Sequence, residues 1–164
     1  MRETRFVRTL AALLAPAFLG SCSYSFDVVA LVRDGRLMFV PGPDRDSRNI
    51  CVRGVDVQAT GSVRATAEAG DRLEQVRQGV FWSESLDWSA PCSPFPLVYG
   101  RLGSRAATDS AGVSAKPLVK GVPYDVSISG DGGGHGGGCF VLHERGVANL
   151  RRCPMSADPA NATG

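Results

Sequence analysis

The feature that most restricts the fold is a series of short stretches in which apolar and polar residues alternate. In residues 24–33 apolar side chains recur at every second position, which is the period of a β-strand with one buried face. Asp34-Gly35 follows, a two-residue sequence typical of a tight hairpin turn, and RLMFVP then reads as the return strand. We therefore predict a β-hairpin at the start of the domain.

Further stretches repeat this pattern along the chain. Residues 50–59 alternate with a change of phase at Gly54, which indicates a β-bulge, and residues 79–85 predict a strand that carries Trp82 into the core. Only DRLEQVRQ, residues 71–78, has the pattern of a short helix. Short strands separated by Gly and Pro, without a long amphipathic helix, predict an all-β sandwich with at most one short helix.

One segment carries a more specific pattern, Leu118-x-x-Gly121-x-x-Tyr124-x-Val126-x-Ile128. It resembles the tyrosine-corner strand of fibronectin type III and other immunoglobulin-like domains. The resemblance implies an immunoglobulin-like antiparallel β-sandwich in which the Tyr124 hydroxyl bonds to backbone a few residues upstream. The alternative is an ordinary strand with a core tyrosine. The order Trp, Tyr-Gly, Leu-x-x-Gly-x-x-Tyr is also similar to one in uncharacterised bacterial envelope proteins, which implies no activity.

The N-terminal residues form a separate signal. Three arginines precede an apolar run of about a dozen residues, too short to span a membrane and typical of an export signal. The run ends in Leu19-Gly20-Ser21-Cys22, which resembles the lipobox of bacterial lipoproteins. That resemblance implies cleavage before Cys22, attachment of fatty-acyl chains such as palmitate, and, because Ser23 rather than Asp follows, sorting to the outer membrane. The alternatives are ordinary cleavage with Cys22 as a thiol, and a buried N-terminal helix.

The cysteine count fits this interpretation. The chain has five cysteines, an odd number, and four remain if Cys22 carries lipid. An exported protein favours disulfides. Of the three possible connectivities we favour Cys51–Cys92 and Cys139–Cys153, the second of which closes a hairpin. A zinc site is the alternative, but these cysteines lack a C-x₂-C pair, so we expect no metal.

Charge and motifs exclude several function classes. The chain has 18 basic and 16 acidic residues, and removing the three arginines and one glutamate of residues 1–21 leaves 15 of each. A neutral domain gives no reason to expect a nucleic-acid partner. The sequence has no G-x-S-x-G, and its glycine tract lacks the lysine of a P-loop. We therefore predict no catalytic residue and no cofactor.

Two segments could contact a partner. GDGGGHGGG, with Asp131 and His135, could fold over a ligand, but we predict a mobile hairpin tip because glycines lose much conformational entropy on ordering. Trp88, in a Pro-rich loop, is expected to pack over Cys92 rather than to form an exposed contact.

These observations predict a signal peptide at residues 1–21, a lipidated N-terminus at 22–23, one β-sandwich domain at 24–154 and a flexible tail at 155–164. The function that fits best is a non-catalytic lipoprotein of the cell envelope, a binding or structural accessory held to the membrane through Cys22, with an unknown envelope protein as its partner. The alternative is an enzyme or enzyme inhibitor that faces the periplasm, with a site not recognisable from sequence.

Overall fold

The computed structural model describes residues 24–46, 49–103 and 112–154. The predicted signal peptide, Cys22 and the predicted tail lie outside these residues. The elements in chain order are strands β1 Ser25–Arg33, β2 Arg36–Pro41 and β3 Val52–Ala59, helix α1 Leu73–Arg77, and strands β4 Val80–Ser85, β5 Leu97–Val98, β6 Pro123–Gly130, β7 His135–His143 and β8 Gly146–Leu150. The prediction of an all-β domain with one short helix is confirmed.

The strands form one mixed sheet that curls over itself. Their order is β4-β3-β6-β7-β1-β2-β5, and β8 pairs with β7 beside this path. The first residues of β1, Ser25–Asp27, pair with β7, whereas residues 28–33 pair with β2. Because β1 changes partner along its length, β2 and β5 fold back over the other strands. Phe39 of β2 thereby packs against Trp82 of β4, with ring centroids 6.5 Å apart.

One pairing differs from the expected arrangement. The sequence predicts only antiparallel neighbours, but β1 and β7 run parallel, with Ser25 opposite His135 and Asp27 opposite Gly137. Parallel strands have to come from distant parts of the chain, because they cannot be joined by a tight turn. The alternation of one strand carries no information about such a distant partner. The sheet is therefore mixed rather than wholly antiparallel.

The core lies inside the curl. Its largest fully buried side chains are Phe39, Phe81, Trp82, Leu97, Leu102, Tyr124, Ile128 and Phe140. Trp82 and Tyr124, which the sequence places in the core, are both there. The Tyr124 hydroxyl accepts a hydrogen bond of 2.8 Å from the backbone N–H of Val119, five residues upstream. Burial raises the pKa of Tyr124, which keeps its hydroxyl protonated.

The glycine tract is ordered, and the expectation of a mobile loop is wrong. Asp131–Gly133 forms a single 3₁₀ turn, and the tract from His135 onward belongs to β7 and pairs with β6. A Cβ at Gly136 would overlap the Phe26 ring, and one at Gly138 would overlap the carbonyl oxygen of Val28. The missing side chains thus let β1 lie directly against β7. Backbone hydrogen bonds and this contact offset the entropy that glycines lose on ordering.

Candidate functional site

The four cysteines of the domain lie in the two expected pairs. Cys51, just before β3, is at disulfide distance from Cys92 in the loop before β5, with Cα atoms 5.4 Å apart. Cys139 of β7 is likewise paired with Cys153 after β8, with Cα atoms 5.3 Å apart. Cys22 lies outside the described residues. The first pair fixes the loop that carries Trp88.

Trp88 does not pack over Cys92 as expected. Its side chain is 79% exposed, although tryptophan is the largest apolar side chain available. Its only ring contact in the described part of the chain is the guanidinium of Arg53, whose central carbon lies 5.5 Å from the ring centroid. At this distance a cation and the face of an indole ring attract each other. One face of the ring thus meets the guanidinium, and most of the side chain is open to solvent.

Arg53 is the residue that organises this surface. It lies where the register of β3 against β6 shifts, at the bulge predicted beside Gly54. Its Nε donates to Asp131 Oδ1 at 2.7 Å and its Nη2 to Oδ2 at 3.3 Å. Its Nη1 donates to the backbone carbonyls of Asp87 and Ala90. The hydrogen bond with Asp131, together with nearby negative charge, raises the pKa of Arg53 despite some desolvation.

Two short turns hold the partners of Arg53 in position. The backbone N–H of Asp131 donates to the carbonyl of Cys51 at 2.9 Å, which places the 3₁₀ turn beside the first disulfide. The Asp87 carboxylate accepts hydrogen bonds from the backbone N–H and the hydroxyl of Ser89, at 2.9 and 2.8 Å. These bonds lower the pKa of Asp87. Trp88 is therefore the tip of a turn that is fixed on both sides.

Exposed apolar residues continue along the loop after Trp88. Pro91, Pro94 and Pro96 are all exposed, and with Trp88 we call them the Trp88 surface. A shallow hollow of about 380 Å³ lies along the prolines. Phe95, between them, turns inward and packs edge-on against Phe26 of β1, with ring centroids 6.1 Å apart. The loop is thus attached to the start of the first strand.

The first described residue lies at the same end of the molecule. The carbonyl of Tyr24 accepts a hydrogen bond of 2.9 Å from the backbone N–H of His135. The Tyr24 ring lies close to Gly130 and Gly134, on either side of the 3₁₀ turn, and the Arg45 guanidinium is 5.0 Å from its centroid. Of the two residues singled out in the glycine tract, Asp131 binds Arg53, while His135 contributes its backbone.

The same end contains one grouping with potential metal ligands. Among the described residues, Cys51, Cys92 and Asp131 bring three ligand-type atoms within 4.8 Å of one another. The two sulfur atoms are joined in a disulfide, and a metal would require thiolates. Asp131 is already bound to Arg53 through both carboxylate oxygens. The three residues thus have a structural role, in which they connect the segments that carry them.

A second charged cluster lies elsewhere and is deeply buried. Lys116 Nζ contacts Asp71 Oδ2 at 2.6 Å and Glu68 Oε2 at 2.8 Å, and it donates to the Ser114 hydroxyl at 2.7 Å. The Lys116 and Asp71 side chains are only 3% and 2% exposed. Burial by itself would raise the pKa of Asp71, but hydrogen bonds from Lys116, Glu68 and Ser114 outweigh it and lower the pKa to about 2.

This buried cluster connects irregular segments of the chain. Asp71 precedes α1, whereas Ser114 and Lys116 belong to the segment that leads to β6, and the Lys116 backbone N–H donates to the Phe81 carbonyl of β4 at 2.9 Å. The only large group with access to solvent is Glu68. The cluster ties the α1 region to the sheet and presents no open face for a ligand.

Glu84 is a third charged group, and it lies in the core. Its Oε2 accepts hydrogen bonds from the Trp82 indole N–H at 3.3 Å and from the backbone N–H of Leu102 at 3.2 Å. Burial raises the pKa of Glu84, and these two hydrogen bonds oppose the rise only in part. Its partners are structural, since one is the central core side chain and the other fixes the loop after β5.

Sequence reasoning missed the partnership of Arg53 with Asp131 and the exposure of Trp88. The two charged residues are 78 positions apart, and spacing alone cannot join them. A local signal for Trp88 was present, because Asp-Trp-Ser is a sequence in which the Asp side chain closes a turn and leaves the middle residue at its tip.

Comparison of the chain with known protein families, curated proteins and solved structures finds no match. Within the described residues, no helix is long and apolar enough to cross a membrane. Among the described residues, the feature that bears most on function is the Trp88 surface, which lies next to the start of β1.

Proposed function

We propose that this chain is a lipoprotein of the cell envelope, anchored through Cys22, that acts as a binding or structural accessory without catalysing a reaction. In this proposal residues 1–21 are removed, the domain has the immunoglobulin-like form of a β-sandwich, and it faces the periplasm from the outer membrane of a host that has one. The partner, besides the membrane, is an envelope protein.

The observation that carries the proposal is the short sequence separation between Cys22 and the first strand of the domain. Leu19-Gly20-Ser21-Cys22 resembles a lipobox, and β1 starts at Ser25, so Tyr24 is in place two residues after the cysteine. More than one acyl chain on Cys22 would give firm membrane attachment, because each buried CH₂ contributes about 0.8 kcal/mol. A protein built in this way would be held close to the membrane surface.

A binding role is supported by the Trp88 surface. Trp88 and the three exposed prolines form one apolar surface, such surfaces mark contacts with proteins or membranes, and tryptophan is among the residues that dominate binding energies at interfaces. Arg53 fixes the turn on which Trp88 stands, so little conformational freedom would be lost on binding. The immunoglobulin-like form is supported by the bond between Tyr124 and Val119 and by the packing of β2 over β4.

Fatty-acid labelling tests the anchor. The full-length chain, made in a bacterium with an outer membrane and fed an alkyne-tagged palmitate, should carry the label and fractionate with the outer membrane. Cys22→Ser should abolish the label and leave the protein soluble or as unprocessed precursor. Ser23→Ala, which keeps the lipobox pattern, is the matched control and should remain labelled. Undiminished acyl labelling of the Cys22→Ser variant would overturn the proposal.

A further inference from the structure

We propose that the Trp88 surface rests on the membrane to which the chain is anchored, with the Trp88 side chain inserted among the lipid headgroups. The occupant of this surface is then a lipid bilayer. The inference rests on the proposed lipidation of Cys22, and it adds an orientation of the domain and a second contact with the membrane.

The length of the tether restricts the position of the domain. Only Ser23 separates Cys22 from Tyr24, and two residues span at most about 7 Å even when fully extended. Acyl chains on Cys22 lie in the hydrocarbon region, so Tyr24 has to lie at the depth of the headgroups or just above them. The end of the domain that contains Tyr24 is therefore the end that meets the bilayer.

A short chain of contacts places Trp88 at this same end. The Tyr24 ring lies against the glycines that flank the 3₁₀ turn, and Asp131 of that turn binds Arg53. The Arg53 guanidinium in turn lies under the Trp88 ring. A second path runs through aromatic rings, because Tyr24 stacks on Phe26 and Phe26 contacts Phe95 of the proline-rich loop.

The chemistry of the surface suits the headgroup region. Tryptophan has an apolar ring system and one N–H donor, and it is enriched where membrane and water meet. Prolines 91, 94 and 96 have no backbone N–H that would lose a hydrogen bond to water on insertion. Arg53 and Asp131 neutralise each other in a bidentate pair. Asp87 has its carboxylate bound to Ser89, and Arg101 lines the hollow beside the prolines. The Trp88 ring would enter the polar–apolar boundary, while these charged groups would lie among the polar headgroups.

A bilayer also fits the tether better than a protein partner does. An anchored domain meets its own membrane at a very high effective concentration, so a weak contact from one side chain becomes occupied. An unconnected protein would have to reach a surface that faces the lipid. The fixed turn beneath Trp88 favours insertion further, since the ring is already displayed before contact.

Quenching of tryptophan fluorescence by brominated lipid tests the inference. The purified lipidated protein is placed in phosphatidylcholine vesicles with or without bromine on the acyl chains near the headgroup. Trp88 emission should be largely lost in the brominated vesicles, while Trp82, which is buried in the core, should stay bright. Trp88→Phe leaves only Trp82 and should remove the quenching. The Cys22→Ser protein mixed with the same vesicles should show little quenching.

The outcomes separate the two proposals. If the wild-type protein carries the acyl label and binds vesicles, yet Trp88 is quenched by aqueous acrylamide and not by brominated lipid, Trp88 faces away from the bilayer. The orientation is then wrong, a protein partner takes the place of the lipid, and the anchor stands. If Cys22 carries no acyl label, the proposed function fails by itself, and the labelling experiment shows this independently of fluorescence.

Discussion

The Arg53–Asp131 pair and the Lys116–Asp71 pair are both short contacts between a cation and an aspartate, at 2.7 and 2.6 Å, and both hold irregular segments against the sheet. Their surroundings differ. The side chains of the first pair are 16% and 38% exposed, whereas those of the second are 3% and 2% exposed. Two pairs with similar distances can therefore have different roles. The consequence of breaking an ion pair depends on whether water can reach the group left behind.

The role of each pair follows from that difference. At the buried pair, loss of one partner leaves a charge inside the protein, so this pair acts on the stability of the whole domain. At the partly exposed pair, water can replace the lost partner. What depends on Arg53 is instead the orientation of the turn that presents Trp88. One pair stabilises the fold, and the other prepares a surface.

Lys116→Met should have the largest effect on stability. It leaves the Asp71 carboxylate buried beside an apolar side chain, and it should lower the free energy of unfolding by about 3–5 kcal/mol. Lys120→Met is the matched control, since the Lys120–Glu144 pair has a similar distance, 2.7 Å, but is 57% and 80% exposed. It should change the free energy of unfolding by at most about 1 kcal/mol. Denaturation in urea measures both, and equal losses would show that burial does not separate the two kinds of pair.

Lowering the pH should reduce the stabilisation that the Lys116–Asp71 pair gives to the folded protein. The folded-state pKa of Asp71 is about 2, below the ordinary 3.8, so the folded protein binds this proton less readily than the unfolded chain does. The stabilisation is complete above about pH 4 and is lost as the pH falls toward 2. It amounts to about 2 kcal/mol at 1.36 kcal/mol per pKa unit.

Melting temperatures measured between pH 2 and pH 6 would check this dependence. Asp71→Asn should melt lower than the wild type at pH 6, and the difference should shrink as the pH falls. Asp131→Asn should keep the acid-dependent loss of the wild-type protein, because Asp71 is intact in it. A wild-type melting curve with no change below pH 4 would argue against the role of Asp71.

Arg53→Lys should have the smallest effect on stability and a clear effect on Trp88. Lysine keeps the positive charge but cannot bind both oxygens of Asp131 and the two loop carbonyls at once. We expect the midpoint of denaturation to change little, while the fluorescence anisotropy of Trp88 decays faster. Arg45→Lys, at the cation that lies over Tyr24, is the control and should leave Trp88 unchanged. If Trp88 is as rigid in Arg53→Lys as in the wild type, Arg53 does not have the proposed role.

Features that depend on neighbouring residues could be read from the sequence. Asp34 and Gly35 have φ values of +51° and +72°, which is the backbone that the hairpin turn requires. The bulge beside Gly54 and the short helix are also local, because alternation and helical spacing are properties of a few consecutive residues. Tyr124 could be placed because its hydroxyl partner is only five residues away.

Features that depend on distant segments could not be read in this way. The entropic cost of ordering glycines is a property of the tract alone, whereas the structure of the tract is determined by Phe26 and Val28 lying where side chains would be. The candidate surface has the same origin. Arg53 meets Asp131 only because β3 and β6 pair and bring their ends together. Local patterns predicted the strands, and contacts between strands decided which side chains reached the surface.

The pairing of β1 with β7 also determines the order in which the domain can fold. Ser25 lies opposite His135, 110 positions later in the chain, so the two strands are far apart in the unfolded chain. The β1–β2 hairpin is local, and such hairpins form in about 1–10 μs. Closing the distant pair first requires the loss of loop entropy over most of the domain, which slows folding. We therefore expect the hairpin to form early and its docking on β7 to be the slow, final step.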